Sequence, residues 1–192
     1  MRVLRTGPRV SGENGAMTDA GTLHAITVLG HDRPGIIAWT TDRLAALGLN
    51  LEDSSMTLLR GHFAMTLVCA GAVSGDEIAA ALAPLAADGT LTVTVGEVPR
   101  EELPAAAGTQ WVLTVHGGDR PGIVSSVVGV VAGVGGNITD LTTRLAGELY
   151  LVVAEVSLPE GVDGVALEAD IKAAASELGV GATLRAVEAD EL

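Results

Sequence analysis

From residue 22 onward the apolar positions switch between a period of two and a period near 3.6, and the switches come in the same order twice. Runs 23–29 and 111–116 are short and rich in β-forming residues, which predicts a strand at each. A helix follows each strand. In the later copy Ile123, Val127, Val130, Val131 and Val134 recur at helical spacing, and in the earlier one Ile36, Thr40, Leu44 and Leu47 do so less regularly. Pro34 and Pro121 suit the first helical position, where no amide bond is lost, while Gly48 and Gly135 suit the exit. Extended segments 50–59 and 137–145 come next, and Gly61 or Gly147 turns the chain into 63–67 or 150–153, so each pair predicts a hairpin. Ser74 with Glu77 carries a capping-box signature ahead of Ile78, Leu82 and Leu85, a helix face that Pro84 should shorten or kink. Leu167, Ile171, Ala174 and Leu178 form its counterpart, and runs 91–95 and 183–187 close the two copies as strands.

The order is βαββαβ, twice. This predicts an α+β chain of two ferredoxin-like units, each an antiparallel sheet with helices on one face. The duplication is also visible residue by residue: Asp32-Arg33-Pro34-Gly35-Ile36 returns as Asp119-Arg120-Pro121-Gly122-Ile123 at an interval of 87 residues. The same interval pairs Gly30 with Gly117, Asn50 with Asn137, Asp53 with Asp140 and Phe63 with Tyr150. The expected layout is a first domain at 21–97, a linker at 98–108 holding Pro99, Pro104 and three successive alanines, and a second domain at 109–189. Residues 1–20 have no hydrophobic period and contain a second methionine, Met17; they read as a disordered extension, with 1–16 the product of a start placed too far upstream.

Composition narrows the function. Apolar residues make up 48% of the 192 but aromatics only 2%, so the cores must be built from Val, Leu, Ile and Ala. A formal charge of −13 with no run of Lys or Arg disfavours direct nucleic-acid contact. Apolar stretches are interrupted before the roughly 18 residues of a membrane span, and no segment has a signal-peptide layout. The one cysteine, Cys69, sits in an alternating run and reads as a small buried side chain, which fits a cytoplasmic protein. His24, His31, His62 and His116 are not at metal-ligand spacing, so no metal is expected. With no nucleophile elbow, no phosphate loop and no evident cysteine–histidine pairing, the chain reads as a non-enzyme without catalytic residues or cofactor.

The Asp-Arg-Pro-Gly turn, lying where a strand hands over to a helix, presents free backbone amides on which a carboxylate could dock. Asn50 and Asn137 add an amide with both donor and acceptor, and turn and asparagine together could hold an amino acid by its charged ends. Helix capping alone would ask for the same residues, so both readings stand at this point. Asp53 and Asp140 read as solvated strand residues or local backbone acceptors.

The repeated strand, Asp-Arg-Pro-Gly-Ile turn, helix and Gly-x-Asn exit resemble the ACT family over residues 22–188. Two such domains with nothing else, the first carrying Asn50-Leu51-Glu52-Asp53-Ser54, are similar to the glycine cleavage system transcriptional repressor group. The resemblance implies domains that pair and bind amino acids or similar small effectors at the shared interface, in a homo-oligomer. By position the implied contacts are Asp32, Arg33, Gly35, Ile36 and Asn50 in the first domain, and Asp119, Arg120, Gly122, Ile123 and Asn137 in the second. His31 against Gly118 is a difference directly beside the turn, so the two sites need not be equivalent. In the repressor group the implied mechanism is control of a DNA-binding regulator by protein contact, with glycine as signal, rather than contact with DNA; the effector itself does not carry over to this chain, because the turn reads the backbone of an amino acid rather than its side chain. Two other readings remain: a ligand-free oligomerisation module, and a regulatory subunit of an enzyme of amino-acid or one-carbon metabolism. Asn137-Ile138-Thr139-Asp140-Leu141 is similar to the regulatory domain of formyltetrahydrofolate deformylases, and such domains also occur on phosphoserine phosphatases.

Overall fold

In the computed structural model, which describes residues 21–100 and 108–187, the alternating runs are strands and the 3.6-period runs are helices, in the order expected. The proposed extension 1–20, linker residues 101–107 and the end of the second domain range lie outside the described residues. The first unit comprises β1 (Thr22–His31), α1 (Ile36–Ala46), β2 (Asn50–Leu59), β3 (His62–Gly71), α2 (Gly75–Leu82), a 3-10 turn (Ala83–Ala86) and β4 (Leu91–Val98). The second comprises β5 (Thr109–Gly118), α3 (Ile123–Gly133), β6 (Asn137–Ala146), β7 (Leu149–Leu158), α4 (Gly164–Glu177) and β8 (Val180–Ala186). Strand orders are β2-β3-β1-β4 and β6-β7-β5-β8, antiparallel throughout. This is the α+β, ferredoxin-like architecture, twice.

Each unit has its own core, built on one face of its sheet. Ile26 and Val28 of β1 and Phe63, Met65, Leu67 and Cys69 of β3 alternate inward, against Ile36, Thr40 and Leu44 of α1 and Ile78 and Leu82 of α2. The second core repeats this with Leu113, Val115, Val152, Ala154 and Val156 under α3 and α4. Burial of each such Leu or Ile contributes about 2 kcal/mol. Thr40 is tolerated inside because its hydroxyl donates to the Ile36 carbonyl at 2.8 Å.

Several boundaries differ from expectation. The helices start at Ile36 and Ile123, two residues past the prolines, because Gly35 and Gly122 cap them in the left-handed region, at φ 91° and 94°. That conformation interrupts the helix and suits glycine, so Pro34 and Pro121 belong to the preceding turn. On α3 only Ile123, Val127 and Val131 are buried; Val134 stands at the C-cap, 38% exposed. Ala175, not Ala174, faces the core from α4. β4 runs on to Val98, since β1 continues to pair with it as far as Leu23. Other expectations hold: Gly48 and Gly135 end their helices at φ 75°, the Ser74–Glu77 capping box is formed in both directions, and α2 gives way to the 3-10 turn that holds Pro84. Among the described residues no helix is long and apolar enough to cross a membrane.

Candidate functional site

β1 and β5 are central strands, so each carries its Asp-Arg-Pro-Gly turn out from the middle of one end of its sheet. At the first turn the His31 amide donates to the Thr90 carbonyl at 3.0 Å and the Asp32 amide to Gly61 at 3.3 Å. The glycines then open the helices: Trp39 donates to the Gly35 carbonyl and Ser126 to that of Gly122, both at 2.9 Å. Ile36 and Ile123 are buried and lock the turns to the cores, while Asp32 and Asp119 are exposed.

A cleft opens beside each turn. The first, about 300 Å³, is lined by Arg33, Pro34, Gly35, Ile36, Trp39, Pro84 and Leu85. The second, about 620 Å³, is lined by Asp119, Arg120, Pro121, Gly122, Ile123, Val124, Ser125, Val128 and Tyr150. Arg33, Gly35 and Ile36 thus come together, as do Asp119, Arg120, Gly122 and Ile123. Asp32 is off the wall of the first cleft, and neither cleft includes its asparagine.

Strand register explains where the asparagines went. Asn50 faces Ala70, which faces Leu23 at the start of β1; the turn leaves from the other end, where His31 faces His62 and His62 faces Leu59. In the second unit Asn137 aligns with Ser157 and Gln110, again opposite the turn end at Gly118. Nine residues of strand rise separate the two groups, roughly 30 Å. Turn and asparagine therefore do not meet within one unit.

Residues 24–95 and 109–185 each match the ACT domain family. The chain belongs to that family. It is 25% identical over 170 residues to the glycine cleavage system transcriptional repressor of Escherichia coli (strain K12), spanning 84% of this chain and 88% of that protein. A solved structure of an unknown protein from Galdieria sulphuraria is 26% identical with a TM-score of 0.71, covering 86% of this chain and 98% of that one. A protein provisionally described as a glycine cleavage system transcriptional repressor superposes with a TM-score of 0.64 over 88% of this chain and 98% of its own; at 17% identity it shows the shared fold.

The two ACT domains use their turn arginines differently. In the first, Arg33 Nη1 donates to the Asp88 carboxylate and, at 3.0 Å, to Thr90 Oγ1, while Nη2 donates to the Leu85 carbonyl at 3.0 Å. The Asp88 carboxyl is drawn down to about 2, chiefly by the Thr90 hydroxyl, then by the Thr90 amide, with Arg33 adding to them. In the second ACT domain the Arg120 guanidinium lies beside Gly179, 3.8 Å from where a Cβ would stand, and has no ion pair or side-chain hydrogen bond among the described residues. Phe63 is 2% exposed in the first core, whereas its counterpart Tyr150 is half-buried on the cleft wall.

Sequence spacing missed two histidine contacts. His31 and His62, opposite each other on β1 and β3, stack at 5.5 Å with an interplanar angle of 21°. The second ACT domain has Gly118 and Leu149 there. His24 faces Cys69 across the same strand pair, a cysteine–histidine neighbour relation that only the β1–β3 register reveals. Both are buried, and neither His24 ring nitrogen has a partner among the described residues. Burial, and then the Glu52 charge, push the Cys69 thiol up, which keeps it protonated and unreactive. Asp53 is a local acceptor, taking the Ser54 amide at 2.7 Å. Among the described residues no three His, Cys, Asp or Glu side chains group to hold a metal.

Proposed function

We propose that this ACT protein is an amino-acid-responsive regulator that works through protein contacts. The observation that carries the reading is the cleft beside each Asp-Arg-Pro-Gly turn, with a cationic side chain on its wall. A carboxylate suits the guanidinium and the unpaired amides of a helix start, and an ammonium suits the neighbouring aspartate. Because each asparagine lies at the far end of its own sheet, a site that uses both turn and asparagine has to be assembled from more than one domain. An effector held that way stabilises the assembled state by its own binding free energy, which turns concentration into a change of quaternary structure. Likeness to a transcriptional repressor supports a DNA-binding regulator as the protein partner, and the charge of −13 favours such a partner over DNA itself. The one thiol is sealed and protonated, which supports a non-catalytic role; a single cysteine, which cannot close an internal disulfide, fits the cytoplasm.

Isothermal titration of the purified chain against the proteinogenic amino acids tests this reading. Saturable binding of at least one is expected, weakened at least tenfold when Asn50→Ala and Asn137→Ala are combined. Heat signals indistinguishable from dilution for every amino acid would refute it.

A further inference from the structure

Resting on that reading, we infer that the second ACT domain is the effector-binding one: Arg120 receives the carboxylate of an α-amino acid with an aliphatic side chain, and Arg33 is a structural clasp.

The two arginines occupy matching places in the repeat and face different surroundings. Arg33 spends both terminal nitrogens on the connection into β4, on Asp88, Thr90 and the Leu85 carbonyl. A ligand carboxylate arriving there has to displace an intramolecular one, leaving Asp88 with its charge and fewer donors. Arg120 reaches toward the matching connection, between α4 and β8, where it lies beside Gly179, the register counterpart of Thr90, and among the described residues makes no ion pair with Glu177, the counterpart of Asp88. Gly179 is left-handed at φ 68°, a backbone conformation that strains any side chain placed there. Among the described residues nothing takes the donors of the guanidinium fork, which suits a bidentate carboxylate.

Around Arg120 the cleft supplies what the rest of an amino acid needs. Asp119 offers the opposite charge for an ammonium. Val124, Val128 and the Tyr150 ring form an apolar wall. Their counterparts at the 87-residue interval, Ile37, Thr41 and Phe63, do not line the first cleft, whose apolar wall is Trp39, Pro84 and Leu85. Glycine would leave the wall of the larger cleft uncovered; each methylene that covers it is worth about fourfold in affinity. An aliphatic side chain therefore outcompetes glycine here.

Titration of the full chain with L-leucine and glycine, for wild type and three variants, decides the matter. Leucine is expected to bind at least tenfold more tightly than glycine. Arg120→Ala should weaken leucine at least tenfold, with Arg120→Lys recovering part of the loss. Asp88→Asn, which removes the charge opposite Arg33 and leaves the arginine in place, should leave leucine affinity within twofold while lowering the melting temperature. Unchanged affinity in Arg120→Ala, or affinity shifted more than threefold by Asp88→Asn, would overturn the assignment to the second domain, and preference for glycine would overturn the aliphatic ligand. Either result leaves the amino-acid sensor standing, whereas absence of binding by any amino acid removes both.

Discussion

At Asp88 three donors converge: the Thr90 hydroxyl at 2.7 Å, the Thr90 amide at 2.9 Å and Arg33. They hold the carboxyl at about 2, below the ordinary carboxylate near 3.9. A depressed folded-state value means that the stabilisation is present in full above pH ~4 and is lost as pH falls through about 2. Asp88→Asn should therefore melt earlier than wild type at neutral pH, with the gap closing between pH ~4 and ~2. Melting curves across that range check it; a gap that stays constant down to pH ~2 would uncouple the carboxylate from the clasp. His24 presents the opposite case, a buried ring that costs stability because its nitrogens find no partner among the described residues. Leu is close to it in size and needs no hydrogen bond, so His24→Leu should stabilise the first ACT domain by about 1 kcal/mol. Urea unfolding measures this, and a variant less stable than wild type would show that the ring has a partner.

Among the elements, α2 depends most on its cap, having only eight residues before the 3-10 turn. The Ser74 hydroxyl accepts from the Glu77 amide, and the Glu77 carboxylate, its affinity for protons lowered by Ser74, accepts from the Ser74 hydroxyl and amide. Ser74→Ala should cost about 1 kcal/mol, with Thr at the same place retaining most of it; denaturation of both variants tells a lost cap from a lost contact. That box was legible in the sequence because both partners lie within one turn. So were the order of elements, the exit glycines and the Arg60-Gly61 hairpin turn, whose φ values of 50° and 83° fit type I′. Each of these depends on residues close together in the chain. The helix starts were misjudged because Pro34 and Pro121 satisfy a local rule that the left-handed caps at Gly35 and Gly122 override. At the candidate site the turns were legible and the contacts of their arginines were not. Arg33 is separated from Asp88 by 55 positions, and the matching turn residues do not tell which of the two arginines has such a partner. The asparagines follow the helices in sequence, and only strand register shows how far from the turns that puts them.

The outer edges of the two sheets bear on the whole molecule. Leu51, Met56 and Leu58 on β2 pair with Cys69, Met65 and Phe63, and so point to the core side of the sheet. Among the described residues no helix covers them there, and they are 45%, 47% and 49% exposed. On β6, Leu141 and Leu145 are in the same position, at 38% and 40%. An edge strand with free backbone groups and an apolar flank is a template for another strand, and proteins that stay monomeric usually blunt such edges with charge or proline. On β2 the only charges are Glu52 and Asp53, both near its start. If β2 pairs antiparallel with β2 of a second copy, the start of each strand lies against the end of the other. That carries Asn50 of one chain to the end of the neighbouring sheet from which the turn emerges, the separation that a single unit cannot close. The same pairing of β6 would do this for Asn137 and the turn beside Arg120. Self-association and effector binding should therefore fail together. Charging the middle of each edge, with Met56→Lys on β2 and Leu141→Lys on β6, leaves every turn residue and both asparagines in place. Light scattering should give wild type a mass above the 19.4 kDa of one chain and the double variant a mass at that value, with effector affinity reduced at least tenfold. A wild type already at 19.4 kDa would put the apolar edges to another use, and a monomeric variant that binds as tightly as wild type would confine the site to a single chain.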